Sequence, residues 1–349
     1  MMLATAVAQA CKYGTLPVAW TRHQWTLIPG RGITLNYNRL DNTPASVWLA
    51  THDDAGGPSF GSGLQSLDPL CPIHNMLSAY FEKNASRPRY NRTILFLGDS
   101  LDAQILDFVC VRIANLQTGT WFAFVHSHRN VNYCHVQLPN GDFLTLVQMY
   151  LLRNSLDDDK QRIDTVQRFF DNNDSDIIIH FDGTNRSSMD ARIQETAIIS
   201  RSQPDLIVFG GVYWPLHRFV DSMGENNVSV LLPVHYVKTF IHETDAIINY
   251  IQFHFHDVRI VMRNSPEIRT DLHTGSNIDG INKRTWGRKS YVAALNEAVK
   301  HITRIRMLEL FDLYALGSFF QPMQLTGDDI HPNSWFQFEL LNLYLNALR

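Results

Sequence analysis

The sequence predicts an α/β fold, a three-layer α/β/α sandwich with a mainly parallel sheet. Short apolar runs alternate with longer segments whose apolar residues recur at helical spacing, an order typical of parallel sheets covered by helices on both faces. This alternation spans residues 91–349. Residues 1–90 instead contain frequent turn sequences, such as Gly30-Arg31-Gly32, and are predicted to be an irregular extension that packs on the main domain.

The first predicted strand and helix place a serine at their junction. Thr93–Leu97 is apolar or β-branched and leads into Gly98-Asp99-Ser100, after which Leu101, Ile105 and Phe108 recur at helical spacing. A helix N-terminus offers free N–H groups and a positive dipole end to a developing oxyanion, so the position suits a nucleophile. The alternative is a structural corner at which Ser100 caps the helix.

A second motif near the C-terminus supplies the residues that a serine nucleophile needs. In Asp328-Asp329-Ile330-His331-Pro332, Asp328 precedes His331 by three residues, a spacing that turns both side chains to one side. His331 would then act as the general base for Ser100, with Asp328 orienting the imidazole. A surface histidine in a polar loop is the alternative for His331 taken alone.

These two motifs resemble the SGNH hydrolase superfamily, which combines Gly-Asp-Ser after a strand with a late Asp-x-x-His. Further blocks resemble its PC-esterase branch, which includes plant trichome-birefringence-like polysaccharide O-acetyltransferases. The serine block continues with Gln104 and Cys110. Residues 205–214 form a strand followed by Gly and aromatic residues ending in Trp, and residues 259–266 form a strand followed by Arg and Ser-Pro. The resemblance covers about residues 91–349 in order and implies an SGNH-like fold.

The chain departs from that branch in three places. Ala103 replaces an arginine, no cysteines flank Asp328 and His331, and the Gly-x-Asn-Asp block of ordinary SGNH enzymes is missing. The oxyanion donor therefore has no assignment. Tyr213 and Trp214 could stack on a sugar, or they could be core aromatics. The candidates for oxyanion or substrate contact are Gly211, Gln104, Tyr213, Trp214 and Arg263.

The resemblance implies an enzyme that acts on the O-acyl groups, above all O-acetyl groups, of a glycan. Ser100 would attack the ester carbonyl, with water as the acceptor in an esterase and a sugar hydroxyl in a transferase. The partner is a glycan or other acylated small substrate, with an acetyl donor if the reaction is transfer, and no cofactor or metal is called for. The alternative is an inactive SGNH-fold protein with a glycan-binding or structural role.

Composition argues against a nucleic-acid partner and against a membrane span. The formal net charge is −4 without a long charge run, which argues against nucleic acid. No apolar run reaches the roughly 18 residues that a membrane span requires. Residues 157–162 form a charge cluster interpreted as solvated, in a loop or helix.

The even cysteine count is compatible with the secretory pathway, and the resemblance implies either the Golgi lumen or the extracellular space. The chain has 4 cysteines and no Cys-x-x-Cys pair, which fits two disulfides better than a zinc site. We expect Cys71 and Cys110 to pair because they flank the first strand and helix; four reduced core thiols are the alternative. The apolar N-terminus, ending in Ala8-Gln9-Ala10, could be the remnant of a leader or the first turn of a helix.

Overall fold

The computed structural model describes part of the chain. The described residues are 25–28, 63–66, 76, 92–106, 122–128, 131–137, 143–171, 203–223, 229–266, 287–314 and 334–348. Asp328, His331, Cys71 and Cys110 lie outside them, as do the apolar segment 176–183 and most of residues 1–90.

The central sheet has seven strands among the described residues. Five of them are parallel: β3 (Arg92–Gly98), β6 (Phe143–Tyr150), β7 (Leu206–Gly210), β8 (Arg259–Arg263) and β9 (Glu309–Phe311). An antiparallel pair, β4 (Phe122–His128) and β5 (Val131–Gln137), completes one side. The order across the sheet is β4-β5-β6-β3-β7-β8-β9. The mainly parallel sheet predicted from the sequence is therefore confirmed.

Helices cover one face of this sheet. They are α1 (Leu156–Phe170), α2 (Tyr213–Met223), α3 (Val234–His254) and α4 (Lys289–Arg306). The main core cluster joins their apolar residues to alternate strand residues, such as Leu95 and Leu97 of β3. This alternation follows from the period of two along a strand, which sends successive side chains to opposite faces.

The other face is covered by α5 (Ser334–Ala347). Tyr344 of α5 packs edge-on against Phe96 of β3 and Phe311 of β9, with ring centroids 5.6 Å and 5.1 Å apart. Each ring is fully buried. Helices therefore lie on both faces of the sheet, and the chain has the predicted three-layer α/β/α fold.

Two short strands of the N-terminal region pair with each other: β1 (Trp25–Ile28) and β2 (Gly63–Ser66) are antiparallel. Met76 contacts the main domain directly, since its N–H donates to Asn342 Oδ1 at 2.7 Å. The boundary near residue 90 stays a prediction. Among the described residues, none of the helices combines the length and apolar character that a membrane span requires.

Three sequence expectations change in detail. The charge cluster at residues 157–162 belongs to α1, and Asp159 within it is buried at 2% exposure instead of solvated. The alternation of strands and helices predicts a strand over residues 307–313, but the strand spans only Glu309–Phe311. It starts late because Met307 adopts a left-handed conformation that ends α4. Strand β5 has no counterpart among the predicted elements.

Candidate active site

The candidate site lies where β3, β7 and β8 end. These strands are parallel neighbours, so Ser100, Gly211 and Asn264 all leave the sheet at one edge. In parallel α/β sheets this carboxyl edge is where ligands bind. Ser100 is partly exposed there and is the first residue of a helical segment that continues through residue 106.

Asp99 starts that helical segment. Its side-chain Oδ1 accepts a hydrogen bond from the N–H of Leu101 at 3.0 Å. Its carbonyl oxygen accepts from the N–H groups of Asp102 and Ala103. These bonds make Asp99 the N-cap, a common role for aspartate. The structural alternative for Ser100 was that its side chain caps this helix, but the structure gives the capping role to Asp99.

A buried arginine is hydrogen-bonded to two carboxylates of this turn. Arg263, at the end of β8, donates from Nε to Asp102 Oδ1 at 2.8 Å and from Nη2 to Asp102 Oδ2 at 2.6 Å. Nη2 also donates to Asp99 Oδ1 at 2.6 Å. All three side chains are about 1–2% exposed. One cation therefore serves two carboxylates in a site almost closed to water.

This arrangement has an electrostatic consequence for Asp102. Burial raises the pKa of Asp102 to about 6, helped by the neighbouring Asp99 carboxylate and opposed by the Arg263 guanidinium. The pKa of Arg263 lies well above its usual range because both carboxylates stabilise its charge more than burial opposes it. One proton on Asp102 would bring the three groups to neutrality.

Two glycines allow these groups to approach so closely. A Cβ at Gly98 would lie 2.0 Å from Asp102 Oδ2 and 2.6 Å from the carbonyl oxygen of Gly210. Gly211 has a φ of +129°, and a Cβ there would lie 2.6 Å from Asp99 Oδ2. A side chain at either position would push into the carboxylates that pair with Arg263.

The residues after Arg263 connect the end of β8 to other elements. Asn264 donates to Asp312 Oδ1 at 2.6 Å and accepts from the N–H of Tyr314 at 2.9 Å. Ser265 Oγ accepts from the N–H of Val212 at 3.1 Å. The backbone of Ser265 also exchanges two hydrogen bonds with the side-chain amide of Asn296 in α4. The Arg-Asn-Ser-Pro block, residues 263–266, is thus a structural junction.

The other candidate residues divide by exposure. Tyr213 is 4% exposed and donates to the carbonyl oxygen of Pro266 at 2.5 Å, so the core alternative describes it. Trp214 is partly exposed. Gln104 accepts a hydrogen bond from Gln337 Nε2 of α5 at 3.2 Å. Arg263 is buried against Asp99 and Asp102, a placement that favours support of the turn over substrate contact.

Sequence reasoning missed two parts of this site. Asp102 lies three residues after Asp99, a spacing that could have indicated a shared face, but nothing local points to Arg263 as their partner. The second part is the loop after β6. Its Leu152 N–H donates to both carboxylate oxygens of the buried Asp159, at 3.1 Å and 3.0 Å, and Arg153 follows on the surface.

Fold and site together define an α/β/α protein with a candidate nucleophilic serine at the carboxyl edge of its sheet. No protein-family model matches the chain, and no curated protein matches it.

Three solved structures are similar to it. A GDSL-like lipase from Parabacteroides merdae has 10% identity and a TM-score of 0.38, over 75% of this chain and 99% of that one. A peptidoglycan O-acetylesterase has 9% identity and a TM-score of 0.37, over 75% and 91%. A carbohydrate esterase family 2 enzyme from Corynascus thermopiles (Myceliophthora fergusii), with its carbohydrate-binding domain, has 14% identity and a TM-score of 0.32, over 83% and 74%.

Proposed function

We propose that the protein is a serine-dependent ester enzyme that acts on the O-acyl groups, above all O-acetyl groups, of a glycan, by hydrolysis or transfer. The observation that carries the proposal is the position of Ser100. It is the partly exposed first residue of a helix at the carboxyl edge, on a turn fixed by Asp99, Asp102 and Arg263. Such rigidity suits a nucleophile, because its attack requires a defined geometry.

The proposed triad adds His331 and Asp328. Ser100 Oγ attacks the ester carbonyl while His331 takes its proton, and Asp328 holds the imidazole and stabilises its charged form. His331 returns that proton to the leaving sugar oxygen, which leaves an acyl-serine. Water or a second sugar hydroxyl then attacks the acyl-serine and gives its proton to His331, which passes it to the departing Ser100 Oγ and so regenerates both residues.

A contact between helices supports bringing His331 to Ser100. Gln337 of α5 donates to Gln104 at 3.2 Å. Gln104 lies four residues after Ser100, and Gln337 lies six residues after His331. The chain thus arrives beside the Ser100 helix soon after His331. We expect Ser100 Oγ and the nearer His331 ring nitrogen to lie about 3 Å apart in the active enzyme.

The oxyanion donors are part of the same proposal. The backbone N–H of Ser100 lies at the positive end of a helix, where a developing negative charge is stabilised. Gly211 follows β7 directly beside Asp99, so its N–H is the second candidate. Gln104 uses its carbonyl oxygen toward Gln337, which leaves its amide N–H groups for the site.

The alternative function is a protein that keeps this fold and binds a glycan without turnover. Ala103, where the resembled branch has arginine, is the observation that favours it. Ala103 lies three residues after Ser100 and is buried at 8% exposure. This position in the Ser100 helix therefore lacks the positive charge that the arginine of the resembled branch would supply. The sequence retains all three residues of the proposed triad, Ser100, Asp328 and His331, which favours the enzyme.

We also propose the secretory pathway as the location, either the Golgi lumen or the extracellular space. Its support is Cys134 in β5, which is disulfide-bonded. Disulfides persist mainly in oxidising compartments. The proposed Cys71–Cys110 pair then requires Cys134 to bond Cys11, an arrangement that peptide mapping without reduction would test.

The function is tested by labelling and by turnover. A fluorophosphonate probe should label the full chain, and Ser100→Ala should abolish the label. Acetyl release from an acetylated oligosaccharide should fall to background in both Ser100→Ala and His331→Ala, because base and nucleophile act as a unit. Asp328→Ala should keep a small residual rate.

Asp329→Ala is the matched control, since it removes a neighbouring carboxylate of equal charge. It should be the mildest of the four variants. Equal loss in Asp329→Ala and His331→Ala, with Asp328→Ala benign, would show that the wrong carboxylate is assigned. Wild-type activity in all four folded variants would refute the triad.

A further inference from the structure

An exposed arginine stands beside the candidate site, on the loop that follows β6. The N–H of Leu151 donates to the carbonyl oxygen of Gly98 at 2.9 Å, so this loop and the Ser100 turn leave the sheet side by side. Adjacent strands lie about 4.8 Å apart. Arg153, two residues further along, is exposed.

The backbone of this loop is held by hydrogen bonds with side chains of two helices, α1 and α2. Leu152 has a φ of 62°, an uncommon conformation for a residue that is not glycine, and its N–H is held by Asp159. Arg218 of α2 donates to the carbonyl oxygen of Asn154. Ser155 then forms a capping box with Asp158 that starts α1. Arg153 therefore projects from a rigid support.

The guanidinium of Arg153 rests on an aromatic ring. Its central carbon lies 4.5 Å from the ring centroid of Trp214, within the range of a cation–π contact. Within the described ranges, Arg153 forms no ion pair with a carboxylate, whereas Arg92, Arg218 and Arg306 each do. Its hydrogen-bond donors are thus available to a ligand while its orientation is restrained.

Among the residues that the structure describes, the nearby carboxylates do not compete for this cation. The first turn of α1 holds three of them, and each has another partner. Asp157 faces Lys160 at 3.7 Å, Asp158 bonds to Ser155, and Asp159 bonds to the N–H of Leu152.

We propose that Arg153 and Trp214 form a subsite for the carboxylate of an acidic sugar, such as a hexuronic acid, in the acylated glycan. A planar guanidinium lying on a ring keeps its edge free for the two parallel hydrogen bonds that a carboxylate accepts. A neutral sugar offers no such partner. This inference rests on the proposed function, because it places the subsite beside the ester that Ser100 would attack.

The test compares binding of two unacetylated trisaccharides to the full-length protein by calorimetry. One is built from hexuronic acid and the other from the corresponding neutral hexose. The acidic trisaccharide should bind at least about tenfold more tightly, the difference expected for a hydrogen-bonded charge pair. Arg153→Gln should remove that preference. Arg153→Lys should retain only part of it, because lysine keeps the charge without the planar fork.

Arg168→Gln is the matched control. Arg168 is another exposed arginine, in the last turn of α1 and therefore at the far end of that helix from the site. It should leave the preference of the wild-type protein intact. Equal affinity of wild-type protein for both sugars, or no binding of either, overturns the subsite, as does a preference that survives Arg153→Gln.

Labelling of Ser100 by a fluorophosphonate, measured in parallel, separates this inference from the proposed function. An acidic preference without labelling keeps the subsite and refutes the ester chemistry. Labelling without an acidic preference keeps the ester chemistry and refutes the subsite.

Discussion

Two arginines near the carboxyl edge of the sheet lie in opposite environments. Arg263, the last residue of β8, points inward, where its guanidinium is 1% exposed and bonded to Asp99 and Asp102. Arg153, on the loop after β6, is exposed, and the buried carboxylate that bonds to this loop is Asp159 of α1. A charge removed from water requires partners, while an exposed charge does not. Arg263 therefore supports the site, whereas Arg153 is exposed to any ligand.

Two buried carboxylates, Asp102 beside Arg263 and Asp159 beneath the Arg153 loop, differ in the same way. Burial raises the pKa of Asp102 to about 6 and that of Asp159 to about 7. Asp102 has a guanidinium partner, whereas the main partner of Asp159 is the backbone N–H of Leu152. The difference predicts which substitutions are costly and at which pH they act.

The largest effect is expected for Arg263→Leu. It leaves Asp99 and Asp102 buried without their cation, which typically costs about 3–5 kcal/mol of unfolding free energy. Urea unfolding followed by circular dichroism measures that loss. Adding Asp99→Asn and Asp102→Asn should recover part of it, because the unpaired charges are then gone.

Arg92→Leu is the control for that experiment. Arg92 pairs with Asp205 at 3.1 Å, but the two side chains are 36% and 30% exposed. Its loss should cost less than about 1 kcal/mol, as for other solvent-screened pairs. Equal costs for Arg263→Leu and Arg92→Leu would contradict the supporting role of Arg263.

A smaller effect is expected for Asp102→Asn. At pH 7.5 it should cost about 1–2 kcal/mol, since it removes one charged hydrogen bond but also the second carboxylate on a single guanidinium. The folded state of the wild type holds a proton on Asp102 up to about pH 6, whereas the unfolded state loses it near 3.8. The contribution of Asp102 to stability therefore falls as pH rises through that window. A pH series of urea midpoints should show this fall in the wild type and its reduction in the variant.

The smallest effect at neutral pH is expected for Asp159→Asn. An amide oxygen can still accept from Leu152, and the buried charge is removed, so the change should stay within about 1 kcal/mol. The pKa of Asp159 rises from 3.8 to about 7 on folding, so the wild type loses stability from this group as pH rises between those values. Relative to wild type, Asp159→Asn should gain stability across the same window.

Asp158→Asn provides a comparison on the preceding residue, whose pKa shifts in the opposite direction on folding. Hydrogen bonds from Ser155 lower the pKa of Asp158, which is partly exposed. Its contribution to stability should be present above pH 3.8 and lost as pH falls below that value. Parallel pH profiles for Asp158→Asn and Asp159→Asn would contradict the buried position of Asp159.

Local patterns predicted the frame of the molecule and the position of Ser100. A short apolar run followed by helical spacing identified β3 and the helical segment after it, because both patterns are complete within about fifteen residues. Tyr213 and Trp214 show the limit of such patterns. They are adjacent aromatic residues at one helix start, and only tertiary packing decides that Tyr213 is buried and Trp214 is not.

The ionic network could not be predicted for a related reason. Arg263 was a candidate for oxyanion or substrate contact, but its partners lie 161 and 164 residues earlier. Strand pairing brings them together through the order of the sheet, which the sequence does not state. Strand β5 escaped prediction because Asn132, His135 and Gln137 interrupt its apolar residues.

That long separation along the chain also bears on the order of folding events. The bonds from Arg263 to Asp99 and Asp102 can form only after β3, β7 and β8 have paired, and contacts between distant residues are slow to form. We therefore expect these bonds to be absent from the folding transition state. Arg263→Leu should accelerate unfolding far more than it slows refolding, a difference that stopped-flow measurements in urea would resolve. The buried guanidinium of Arg263 would then act mainly by slowing unfolding, and so by lengthening the lifetime of the native state.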